Sequence, residues 1–180
     1  FNSEDRTINC PVFVATSDAF LPLLKPFFYL FNKFWSDKQP VTFLGYKEPD
    51  FELPSNFSFV SMGEQRGVAH WSDDVRPVLE NVKEDYFIYT AEDQFLTREF
   101  NFPSMSFLLS QCGDKNAARI ALTNSVANQQ HETYSETANH KSIHLTQNAN
   151  HRISLTWSIW RKDYFLRPLH PNFSPWDFEV

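Results

Sequence analysis

Short apolar runs and longer amphipathic stretches alternate along this chain. Residues 12–16 form an apolar run of strand type. After Thr16-Ser17-Asp18, the residues Phe20, Leu23, Leu24, Phe27, Phe28, Leu30, Phe31 and Phe34 recur at helical spacing. Asp18 is a natural N-cap for that helix, and Pro22 suits its first turn, whereas Pro26 must kink the helix or delay its start. Residues 41–46 and 57–61 read as further strands, separated by a proline-containing loop. Residues 62–70 read as a loop carrying Gly63 and Gly67. Ser72, Asp73 or Asp74 then caps a helix whose apolar face is Val75, Val78, Leu79 and Val82, with Pro77 in its first turn only if Asp73 or Asp74 is the cap.

The run Tyr86-Phe87-Ile88-Tyr89-Thr90 follows after a short charged turn. Helix into strand, repeated, is most economically assembled as a parallel sheet with crossover helices. The expected fold is therefore α/β: one Rossmann-like domain over residues 1–180 with a mixed, mostly parallel central sheet flanked by helices. Beyond it, residues 102–111 read as a helix, 119–123 as a strand, and 124–141 as a polar loop. Residues 143–146 and 152–160 read as late strands, and 162–169 as a short helix ending near Pro168.

Charge and composition narrow the function. A net charge of −6 and a pI near 5.5, with no stretch collecting cations, argue against nucleic acid as a partner. The aromatics, 17% of residues, are interleaved with Lys, Asp and Asn, so no transmembrane segment is expected. Phe1 opens no signal-peptide pattern, and Cys10 and Cys112 lack metal-type spacing or a disulfide framework; a cytoplasmic, reducing setting is expected. Cys112 reads as a small buried apolar side chain.

The apolar strand 86–90 stops on Glu92 and Asp93. Open α/β sheets bind ligands outside the carboxyl ends of their strands, where carboxylates can hold a hard divalent cation and, through it, a nucleotide's phosphates. The alternative is a solvated turn. Thr16, Ser17 and Asp18 occupy the equivalent place after the first strand and serve equally as a helix cap. Asp73, Asp74 and Arg76 suffice as a helix start, yet the Arg76 guanidinium also suits a diphosphate or a brace for the acidic pair. His131, His140, His144 and His151 lack the paired spacing of a zinc site. Trp160 reads as core, while Trp157 and Trp176 suit a sugar-stacking wall as well as a core. Asp177 and Glu179 are either an acidic chain terminus or a carboxylate pair from which a general base is drawn.

The strand-helix-strand-strand-helix-strand order closing on an acidic pair resembles the GT-A glycosyltransferases, whose acidic motif binds a divalent metal and the diphosphate of a nucleotide sugar. The segments Trp157-Ser158-Ile159-Trp160-Arg161-Lys162-Asp163-Tyr164 and Ser174-Pro175-Trp176-Asp177-Phe178-Glu179 are similar to small glycosyltransferase-like proteins of that fold. The resemblance implies a nucleotide-sugar donor, a hydroxyl acceptor such as a glycan, and Mn or Mg as cofactor. It assigns Asp93 and Glu92 to the metal. Thr16, Ser17, Asp18, Arg76 and Glu92 go to the donor, Trp157 and Trp176 to the acceptor, and Glu179, then Asp177, to the base. Two departures stand out. Glu92-Asp93-Gln94 replaces Asp-x-Asp, and the chain ends one residue after Glu179, as a fragment or minimal version of such a domain would. Both leave room for a non-catalytic nucleotide or carbohydrate-binding module. Nucleotidyl transfer would want a glycine-rich phosphate loop with Lys, which residues 12–18 lack.

Overall fold

A computed structural model describes residues 6–123, 131–136, 141–146 and 152–179. In chain order the elements begin with β1 (Val12–Ala15), a 3-10 turn (Asp18–Leu23), α1 (Leu24–Phe34), β2 (Val41–Gly45) and β3 (Phe57–Ser61). A second 3-10 turn (Val68–His70) leads into α2 (Trp71–Glu80), followed by β4 (Tyr86–Ala91), α3 (Phe102–Lys115) and β5 (Arg119–Ala121). The chain continues through β6 (His131–Glu136), β7 (Lys141–Leu145), β8 (Ser158–Arg161), α4 (Lys162–Leu166) and α5 (Pro175–Phe178).

Six strands form one sheet in the order β3-β2-β1-β4-β8-β5. The four strands expected to run parallel do so, with Val14 registered between Phe43 on one side and Thr90 on the other. β8 runs antiparallel between β4 and β5, pairing Ile159 with both Ile88 and Ile120, so the sheet is mixed. β6 and β7 form a separate antiparallel hairpin.

Period-two alternation splits the core into two layers. Val12, Val14, Phe43, Ile88 and Ile159 face the layer of α1 and α3, joined by Phe27, Phe31, Trp35, Met105 and Cys112. Phe13, Leu44, Phe87, Tyr89 and Trp160 face the opposite layer of α2, α4 and α5. Both sides of the central strands are buried, which is why β1 and β4 read as continuous apolar runs.

Several elements differ from expectation for identifiable reasons. The prolines at 22 and 26 delay the α-helix to Leu24, and a 3-10 turn fills the gap, starting from Ser17 rather than from an Asp18 cap. α2 starts early, at Trp71 with His70 in the cap position, so Ser72, Asp73 and Asp74 are not caps and Pro77 lies inside the helix. The helix tolerates this because it is short and its buried face is anchored by Trp71, Val75 and Leu79. α3 runs four residues beyond the expected end, to Lys115. The segment read as a polar loop contains β6, whose polar residues give no hydrophobic signal and whose strand character comes from pairing with β7. Of the strand expected over 152–160, only the last part is strand; the residues before it form a loop. Among the described residues, no helix is long and apolar enough to cross a membrane.

Candidate functional site

The carboxyl ends of β1 and β4 lie side by side, with Ala15 registered to Ala91. Each strand passes its ladder on by one bond: Thr16 N–H donates to the Leu44 carbonyl (2.8 Å) and Glu92 N–H to the Ala15 carbonyl (3.1 Å). These bonds fix the two chain reversals whose side chains floor a cleft of about 370 Å³. Gly45, at the end of β2, permits the close approach. A Cβ there would lie 2.8 Å from both the Phe59 ring and the Thr16 methyl.

Thr16, Ser17, Glu92, Asp93, Trp176 and Glu179 all line this cleft, so the structure gathers the two acidic groups and the β1 turn from three separate stretches of sequence. Glu92 is only 7% exposed, and burial together with the neighbouring Asp93 charge pushes its carboxyl up to about 7, against the pull of its own backbone N–H. Asp93 is exposed and accepts from the Gln94 amide at 3.2 Å. The turn that carries this pair is closed by Gln94 N–H to the Ala91 carbonyl (3.1 Å).

Glu179 caps the end of α5 and faces the cleft. Its Oε1 accepts the Leu155 backbone N–H at 2.5 Å, which ties α5 to the loop preceding β8. The charge of Glu179 also reaches Arg119, whose guanidinium burial pulls down to about 10 while Glu179 opposes the fall. Arg119 is itself held by the Ser158 hydroxyl (3.0 Å) and lies over the Trp160 ring.

The remaining candidates are placed elsewhere. Asp18 lies beside the cleft: its Oδ1 accepts the Lys47 N–H at 3.0 Å and its own N–H donates to Gln65 at 3.2 Å, so it pins the segment after β2. Arg76 points to α4. Its guanidinium donates to the carbonyls of Leu166 (2.9 Å) and Leu169 and pairs with Glu80, and it does not line the cleft. Trp157 is buried among Phe27, Phe31 and Trp35, a core position and not an acceptor wall, but its Nε1 donates to the Gln94 carbonyl at 2.7 Å and so steadies the acidic turn from behind. Asp177 is taken up by a capping box with Ser174, whose hydroxyl and N–H hold its carboxyl below the usual range. Of the paired acids, Glu179 alone lines the cleft. His131 and His144 lie on the β6–β7 hairpin; His140 and His151 lie outside the described residues.

Tyr46, Gln65, Tyr89, Leu155 and Thr156 also line the cleft, although the sequence does not single them out as site residues. Tyr46 donates to the buried Asp74 carboxylate at 3.2 Å, and Arg66 closes on the other oxygen of that carboxylate. Tyr46 was legible as the last residue of a strand, since the positions just past strand ends line such clefts. Gln65, Leu155 and Thr156 are brought in by tertiary closure.

Two adjacent carboxylates suit a small hard cation that keeps most of its shell as water and substrate oxygen. Among the described residues no three His, Cys, Asp or Glu side chains converge into a metal cage, and no Lys or Arg lines the cleft. A cation shared with a polyanionic ligand fits this donor set; an all-protein cage does not.

No family model matches the chain, and no curated protein matches it significantly. Solved structures do. S. aureus TarS 1-349 superposes on 86% of this chain with a TM-score of 0.51 at 11% identity, covering 47% of that chain. The mannosyltransferase PcManGT from Pyrobaculum calidifontis, in complex with GDP-Man and Mn2+, superposes on 68% of this chain with a TM-score of 0.44 at 16% identity, covering 36% of its own. This chain thus spans about half the length of the first and little more than a third of the second. At such identity the likeness to TarS shows the fold alone: an α/β, mixed-sheet domain of GT-A type.

Proposed function

We propose that the cleft binds a nucleotide-diphosphate sugar and that the protein transfers the sugar to a hydroxyl acceptor such as a glycan. The observation that carries this reading is the convergence of Glu92 and Asp93, at the end of the central strand β4, with Glu179 in one cleft at the carboxyl edge of the sheet. Ligands of open α/β sheets bind at that edge. Asp93, with Glu92 beside it, would hold Mn or Mg, and the bound ion would neutralise the charge that develops on the departing diphosphate. Since no Lys or Arg lines the cleft among the described residues, that charge has no protein cation to meet. Thr16 and Ser17 offer hydroxyls and backbone groups to the donor from the β1 turn, next to Tyr46 and Gln65.

Glu179 is the base in this reading. Its Oε1 is fixed by the Leu155 N–H, and Oε2 has no protein donor among the described residues, so it can accept the proton of an incoming hydroxyl. The acceptor oxygen forms its bond to the sugar carbon as the bond to the diphosphate oxygen breaks, and the proton rests on Glu179. Asp177 does not line the cleft, and its Oδ2 is engaged by Ser174, which favours Glu179 over it for this task. The reading is tested by measuring release of nucleoside diphosphate from a panel of nucleotide sugars with Mn2+ and sugar acceptors. Release that depends on acceptor supports transfer. Tight donor binding without release under any condition supports a binding module instead.

A further inference from the structure

Five large hydrophobic side chains are exposed among the described residues: Phe20, Tyr29, Val60, Val68 and Trp176. Three of them line the one cleft already described. Phe20 is 51% exposed, Val68 56% and Trp176 66%, and they come from the 3-10 turn after β1, the 3-10 turn before α2, and α5. Exposed apolar groups scattered singly need no explanation, but three from separate segments meeting at one mouth form a contact surface for a ligand. The charged groups of the same lining are Glu92, Asp93 and Glu179, all carboxylates.

Trp176 and Glu179 are linked by geometry as well. They are three residues apart on one helical turn, closed by the Glu179 N–H donating to the Trp176 carbonyl at 3.2 Å, which brings the indole and the carboxylate to neighbouring positions on the cleft wall. An aromatic face carries negative potential and attracts the positive C–H edges of a ring laid against it. A carboxylate next to it accepts from a hydroxyl but repels an anion.

We propose that the subsite between Trp176 and Glu179 selects an uncharged pyranose ring, its apolar face on the Trp176 indole and one hydroxyl on Glu179, and discriminates against uronic acids and sugar phosphates. This narrows the acceptor class and rests on the glycosyl-transfer reading only for the sugar's role as acceptor; binding of the sugar stands apart from transfer. Phe20 and Val68 extend the apolar rim over whatever the sugar is attached to. The anionic part of the donor does not conflict with this selection, because it would meet a cation at Asp93 and not Glu179.

The chain supplies its own reporter. Of its five tryptophans, Trp35, Trp71, Trp157 and Trp160 are buried, and Trp176 is exposed. Tryptophan emission is titrated with the methyl glycosides of glucose, galactose and mannose and with methyl glucuronide and galacturonide, first alone and then with nucleoside diphosphate and Mn2+. The expected result is a saturable change in the exposed-tryptophan emission with at least one neutral glycoside, and affinity for the matching uronide weaker by about tenfold or more, a gap of the size that like-charge juxtaposition produces. Glu179→Gln should close that gap. Trp176→Phe should abolish the fluorescence change while calorimetry still detects binding, and Trp176→Ala should weaken binding itself. Failure of every neutral glycoside to bind in both conditions, or uronides binding as tightly as their neutral partners, overturns the inference. Neutral-sugar selectivity without nucleotide-sugar binding would instead leave it standing and remove the transferase reading.

Discussion

Glu179 Oε1 accepts the backbone N–H of Leu155 at 2.5 Å across 24 residues of sequence, so one carboxylate both closes the wall of the cleft and faces its interior. Glutamine keeps an acceptor oxygen for Leu155 and removes only the basic oxygen. Glu179→Gln is therefore expected to retain donor affinity and lower turnover by about 10²–10⁴. Asp177→Asn should do the reverse, leaving turnover unchanged and lowering the thermal midpoint, because its carboxylate serves the Ser174 cap. Its carboxyl is depressed below 3.8, so the contribution is present above that value and is lost as pH falls through the folded-state value. Steady-state kinetics and thermal melts on both variants separate the two roles.

Glu92 makes a pH prediction of opposite sign. Its carboxyl is raised from 4.5 to about 7, chiefly by burial. Between those values the unfolded chain gives up a proton that the folded protein keeps, so this group's contribution is full below 4.5 and is lost as pH rises through 7. In chelator-treated protein, Glu92→Gln should therefore gain stability relative to the wild type as pH is raised across that window, with the difference levelling off above it. Denaturant melts at pH 5, 6, 7 and 8 would show it, and a difference that stays constant with pH would contradict it.

Gly45→Ala probes the link between packing and site. Its Cβ would press on Phe59 and on Thr16, both at 2.8 Å. Overpacking of this kind costs about 1–3 kcal/mol, and the displaced Thr16 should weaken donor binding as well. Equilibrium unfolding and donor titration of the variant check both effects, and a loss of stability with donor affinity unchanged would detach Thr16 from the donor.

The parallel half of the sheet was legible because its central strands β1 and β4 are buried on both faces and read as mostly apolar runs bounded by turn residues. The antiparallel half was less so. β5 is three residues long, and β6 carries no apolar residue besides Tyr134, so pairing rather than pattern defines them. At the site, positions just beyond strand ends were readable, and Thr16, Ser17, Glu92 and Asp93 do line the cleft. Side-chain direction was not. Nothing in the sequence told whether Trp157 would stack on a sugar or pack on Phe27, or that Arg76 would turn to the carbonyls of Leu166 and Leu169. The proximity of Arg119 and Glu179 had no local signal, since only closure of β5 and α5 onto β8 creates it.

Asp93 is proposed to anchor a divalent cation against the diphosphate of a nucleotide sugar. Calorimetry of nucleotide-sugar binding, with and without Mn2+, to the wild type and to Asp93→Ala tests it most directly. Asp93 is an exposed turn residue, so the substitution should leave the thermal midpoint nearly unchanged. The expected result is saturable binding by the wild type that requires Mn2+ and is lost in Asp93→Ala. Binding of equal strength in both proteins, or no binding of any nucleotide sugar by the wild type in the presence of Mn2+, would contradict it.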